Sequence, residues 1–222
     1  SELSDIGGAT TGDVTVTNAV AITGNHDQLT AALVTAGTKV SVSDAKVTVS
    51  DADATAITAA ELSDIGSSTT GVVTVTNAVA ITGTAAEVTA ALVTAGSLVV
   101  VSDAAVTITG NPTITELNNI AAKTTGVVTA TLAAASLSDL GSLDTASTDV
   151  ITVTVNDADA AAVTAANLST LGGKTAGTVT VTNAVAITGS VAEATAALVT
   201  AGTKVEVSAA TVTVSGNPTI TQ

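Results

Sequence analysis

Apolar and polar residues alternate along short stretches of this chain. In VTVTNAVAITG, Val14–Gly24, the positions Val14, Val16, Val20 and Ile22 are apolar, with Thr15, Thr17, Ala21 and Thr23 between them. Residues two apart share one face of a strand, so this pattern predicts half-buried strands. Asn18-Ala19 interrupts it and predicts a corner. The period then lengthens. TAAE at Thr84–Glu87 is a capping box, in which a hydroxyl and a carboxylate satisfy free helix amides reciprocally. SVAE at Ser190–Glu193 repeats it, and Asn25 with Gln28 is its amide counterpart. Val88, Ala91, Leu92 and Ala95 follow at helical spacing and Gly96 stops the helix. Thr58/Glu61 and Thr113/Glu116 open further helices, the first continuing through Leu62 and Ile65.

These patterns recur. The undecapeptide of Val14–Gly24 returns letter for letter at Val73–Gly83 and Val179–Gly189. Inside this long repeat lies a step of 26 residues, linking Val14 to Val40, Val73 to Val99 and Val179 to Val205. Two alternating repeat types result, one written at Val73–Gly96 and the other at Val40–Gly71. Stacking them in parallel predicts a mainly β fold with short helices: a parallel β-solenoid of strand, corner, strand and short helix, in about eight coils. Residues 1–222 then form a single repeat array, uncapped at both ends. Val16, Ile22, Val75, Ile81, Val181 and Ile187 are its expected inward columns. The corner column reads Asn18, Asp44, Asn77, Asp103, then Asn183 and Ala209, which suggests amides and carboxylates alternating from layer to layer.

Composition supports a thin core. Hydrophobic residues make up 46% of the 222, yet there is no aromatic residue, cysteine or methionine. Aromatic rings fill the interior of most compact globules, whereas a stacked architecture fills each narrow layer with small aliphatics. The net charge of −14 excludes the basic footprint that nucleic acid requires. No apolar run reaches the ~20 residues of a membrane-spanning helix. Without cysteine and methionine, the main side chains of the oxidation ladder are absent, which suits a protein that meets air.

The chemistry-bearing residues are few. His26 is the single histidine and reads as a surface side chain. SDADA at Ser50–Ala54 and NDADA at Asn156–Ala160 place Asp51 beside Asp53 and Asp157 beside Asp159. Carboxylates two apart can share a hard cation such as Ca²⁺, so these four are the candidate metal ligands, against the alternative of solvated loop charge. No other cofactor is implied. No Gly-x-Ser-x-Gly elbow with a histidine partner occurs, and a carbohydrate site would lack both arginine and an aromatic platform. The expectation is that the chain is not an enzyme. Thr15/Thr17, Thr74/Thr76, Thr129/Thr131 and Thr180/Thr182 form Thr-x-Thr pairs. These resemble the ice-binding face of β-helical antifreeze proteins, although threonine's strand preference also accounts for them.

The VTVTNA strands and ELSDIG helices, rich in Ala, Thr and Val and free of aromatics, resemble the tandem repeats of very large bacterial cell-surface proteins, including cyanobacterial ones. That resemblance implies a structural role at the cell surface or outside the cell: surface layer, sheath, adhesin or filament. The alternative class is a binding module for ice, calcium or a polymer on a sheet face. The first residues, SELSDIGGATTG, match AELSDIGSSTTG at Ala60–Gly71, and the last, VTVSGNPTITQ, match VTITGNPTITE at Val106–Glu116. The expected partner is the chain itself, through head-to-tail copies or further repeats of a longer chain.

Overall fold

The computed structural model describes residues 2–35, 37, 39–96 and 99–219. The extreme ends of the two terminal stretches, Ser1 and residues 220–222, on which the expected head-to-tail continuation falls, lie outside the described residues. The chain divides into two compact units: Ser1–Thr109 with Ala122–Val127, and Gly110–Ala121 with Val128–Gln222.

The first unit runs α1 (Glu2–Gly8), β1 (Val14–Val16), β2 (Ala21–Gly24), α2 (His26–Leu29) continued by a π-helical turn (Thr30–Val34), β3 (Val40–Val42), β4 (Lys46–Val49), β5 (Ala56–Thr58) and α3 (Ala59–Ser67). It continues with β6 (Val73–Val75), β7 (Ala80–Thr84), α4 (Ala85–Val88) with a second π turn (Thr89–Val93), β8 (Val99–Val101) and β9 (Ala105–Thr109). The second unit holds α5 (Ile114–Ala121), β10 (Val128–Thr131), α6 (Leu137–Leu140), β11 (Val150–Val155), β12 (Ala162–Thr164) and α7 (Ala165–Gly172). After these come β13 (Val179–Val181), β14 (Ala186–Ser190), α8 (Val191–Leu198), β15 (Val205–Val207) and β16 (Thr211–Ser215).

Every strand pair among the described residues is parallel. The 26-residue step becomes direct pairing, Val14 with Val40, Val73 with Val99 and Val179 with Val205. In the first unit the ladders are β1-β3, β2-β4-β6-β8 and β5-β7-β9; in the second they are β10-β11-β13-β15 and β12-β14-β16.

The expectation of a mainly β solenoid is corrected. Helix and strand are nearly equal, 31% and 30%, the fold is mixed α/β, and the described residues form no closed solenoid. Two physical causes stand out. The capping boxes all form, so the helices take as many residues as the strands. Thr58, Thr84, Ser190 and Asn25 each accept from the amide three residues on, and Glu61, Glu87, Glu193 and Gln28 answer back. Thr113 and Glu116 do the same at α5. The second cause is a change of partner. β4 follows β3 within its own repeat and pairs with β2 on one side, but on the other it carries β6, the opening strand of the next repeat. At that junction, unlike the pairs 26 residues apart, strand is not laid on equivalent strand, as one repeating coil requires.

The cores are aliphatic. Val75, Ile81, Val181 and Ile187 are at most 2% exposed and Ile22 is buried, while Val16, on the outer strand β1, is half-buried. Leu62 and Ile65 of α3 and Leu168 and Leu171 of α7 are likewise buried. Each such side chain contributes roughly 1.5–3 kcal/mol by leaving water. No helix among the described residues is long and apolar enough to cross a membrane.

Candidate functional site

The two acidic corners are the places where charged side chains meet the fold most closely. In the first unit the corner leads from β4 to β5; in the second it leads from β11 to β12. Ala54 and Ala160 turn the chain with φ of 60° and 59°, a left-handed conformation that costs a residue with Cβ about 1–2 kcal/mol. Each offsets part of that cost with its amide. Ala54 N donates to Ala78 O and Ala160 N to Ala184 O, both at 2.8 Å.

The two aspartates of a corner point to different repeats. Asp51 Oδ2 accepts from His26 N at 2.7 Å, reaching back to the first amide of α2. Asp157 Oδ2 accepts from Leu137 N at 2.7 Å, the first amide of α6. A carboxylate there satisfies a free helix amide and meets the positive end of the backbone dipoles. Asp53 Oδ1 instead reaches forward and accepts from Ala78 N at 3.0 Å, as Asp159 Oδ1 does from Ala184 N at 2.9 Å. The corner amides join the same joint. Asn77 Nδ2 donates to Asp51 O, and Asn183 Nδ2 donates to Asp157 O. These side chains thus go to carbonyls of the acidic corners, while Asp44 and Asp103 accept from Ser43 and Ser102 beside them. The layer-to-layer alternation expected along the corner column is replaced by this arrangement.

All four candidate metal ligands are therefore placed, and each has an amide as partner. Asp51 is buried, Asp157 half-buried, and Asp53 and Asp159 exposed. Within each corner the two carboxylates accept from amides of different repeats. Among the described residues no group of three or more His, Cys, Asp or Glu side chains could hold a metal ion. Of the Thr-x-Thr pairs, Thr15, Thr17, Thr74 and Thr76 of the first unit are exposed, but Thr15 lies beside Ser41 and Thr74 beside Val100, so the threonine row is interrupted.

His26 departs from the surface reading. Its side chain keeps 14% exposure, and Nδ1 lies 2.7 Å from Asp51 Oδ1. Burial opposes the imidazolium, but the hydrogen bond to Asp51 and the charges of Asp51, Asp27 and Glu61 outweigh it and hold the pKa above its ordinary value.

Two polar features were legible only in part. Asp149 is 3% exposed and accepts from Val128 N and Ala146 N; nothing in its neighbourhood of sequence singles it out. Thr69, Thr124 and Thr175 each hydrogen-bond the preceding layer's backbone and accept from the glycine two residues on. Their signal, Thr-x-Gly ahead of a Val-rich strand, is visible in the sequence. Comparison with family models, curated proteins and solved structures gives no match.

Proposed function

We propose that this chain is structural material of a bacterial surface layer, sheath or extracellular filament, associating with further copies of itself at its sheet edges. The observation that carries this reading is the use made of polar groups. At both acidic corners the carboxylates and amides are engaged between successive repeats, in the same pattern, and they converge on no reacting centre. The aromatic-free, aliphatic interior and the resemblance to bacterial surface repeats support the same role.

The edge strand β16 supports association. It pairs only with β14 among the described residues. Val212 lies in register with the buried Ile187, yet Val212 and Val214 are 42% and 41% exposed. An unpaired parallel edge with open valines is a surface on which another strand can add. Sedimentation velocity and electron microscopy over a range of concentrations test this. The expected result is concentration-dependent oligomers that Val212→Lys suppresses without loss of helix or strand signal. A chain that stays monomeric throughout, or oligomers indifferent to Val212→Lys, overturns it. Calorimetry with Ca²⁺ provides the contrast: tight binding lost in Asp51→Ala or Asp157→Ala supports a binding module instead.

A further inference from the structure

We propose that His26 and Asp51 form a pH-sensitive latch between two successive repeats of the first unit, closed when the imidazole is protonated and loosened when it is neutral. The contact has two strands of evidence in its geometry. Asp51 holds the backbone through His26 N and, with its other oxygen, the ring through Nδ1, both at 2.7 Å. The joint is also shielded, with Asp51's side chain 4% and His26's 14% exposed, so charge there is screened less than at the surface.

The groups around the ring are all acidic. Asp51 comes from the corner, Glu61 from α3, and Asp27 from α2 itself, its Oδ1 3.5 Å from Nε2. β2 and the π turn Thr30–Val34, also packed against α2, carry no charged residue. A neutral ring can still donate one hydrogen bond to Asp51, but it answers none of this negative charge.

The direction follows by linkage. The folded-state pKa lies above the ordinary 6.5, so the latch contributes fully below about pH 6.5 and is lost as pH rises through the folded value. The second unit contains its own control. Leu137 occupies the position of His26, and Asp157 accepts the same amide bond at the same distance without a titrating ring.

Because the chain has one histidine, proton NMR follows this ring without ambiguity. The expected midpoint lies above 6.5 and falls in Asp51→Asn. Hydrogen-exchange protection of the α2 amides should decline as the ring deprotonates, by up to about tenfold for each pH unit separating the midpoint from 6.5. His26→Leu, the residue the second unit uses, should remove that decline, and the α6 amides should show none in either protein. A midpoint at or below 6.5, or an unchanged decline in His26→Leu, overturns the proposal, even if Asp51→Asn fails to fold.

Discussion

The two acidic corners share a backbone path and differ in what stands on it. In both, an aspartate accepts the first amide of a helix in the preceding repeat, and a second aspartate accepts an alanine amide in the following one. In the first unit the capped residue is His26, whose ring adds a charged contact; in the second it is Leu137, buried and inert. The joint is thus a backbone device. It tolerates either side chain because the amide, which every non-proline residue has, supplies the bond.

A second difference concerns the peptide TAALVTAG, present at Thr30–Gly37, Thr89–Gly96 and Thr195–Gly202. Both copies in the first unit make a π turn, with Thr35 N bonded to Thr30 O and Thr94 N to Thr89 O. In the second unit α8 stays α-helical to Leu198, and Thr195 O accepts from both Val199 N and Thr200 N. The residue ahead differs: Leu29 and Val88 are fully buried anchors, whereas Ala194 fills less space. One consequence is local. The hydroxyls of Thr30 and Thr89 are buried without a hydrogen-bond partner, and that of Thr195 is not among such groups.

The strongest way to probe what the units share is at their close approaches. A Cβ on Gly71 would lie 2.2 Å from Ala45 O, and one on Gly177 2.4 Å from Ile151 O. Gly71→Ala and Gly177→Ala should each cost ~3 kcal/mol in chemical denaturation, because backbone of the neighbouring layer has nowhere to move. Gly96→Ala, with nothing within 4 Å, should be neutral or slightly stabilising. Equal behaviour of all three would remove the distinction.

At the corners, Asp157→Ala should cost about 1–3 kcal/mol by leaving the Leu137 amide without its acceptor. Asp51→Ala should cost more at pH 6 than at pH 9, since it also strands the imidazolium. A pH-independent cost for Asp51→Ala, like that expected for Asp157→Ala, would make the two joints equivalent.

The smallest expected effect sharpens the helix comparison. Thr30→Val and Thr89→Val replace unpartnered hydroxyls by methyl groups of the same shape and should stabilise by ~1 kcal/mol or less in thermal melts. Thr195→Val should show no such gain. Destabilisation at Thr30 or Thr89 would mean that those hydroxyls do have partners in solution.

Local chemistry was legible in the sequence wherever it acts over three or four residues. Thr58 with Glu61, Ser190 with Glu193 and Asn25 with Gln28 declare helix starts, because both halves of each capping box lie within one turn. The alternation of Val and Ile marked inward positions, and the 26-residue step marked strand partners, since strands with valine at the same two positions stack in one register. The number of helical residues was underestimated, and the partner change at β4 was not visible, because either edge of a Lys-Val-Thr-Val strand offers the same backbone groups.

The tripeptide Thr-Ala-Gly shows where sequence stops and tertiary structure begins. At Thr200 it leaves a helix, the hydroxyl donating back to Thr195 O. At Thr175–Gly177 it precedes β13 in a buried site, the hydroxyl bridging to Ile151 and the glycine lying against Ile151's backbone. His26 and Asp51, 25 residues apart, are likewise an ordinary loop pair until the layers meet. The sequence alone determined the caps, the strand faces and the repeat step, which depend on neighbours along the chain. Which edges paired, which glycines lost their space and which carboxylate met the one imidazole depended on contacts between layers, and only packing of the layers creates those.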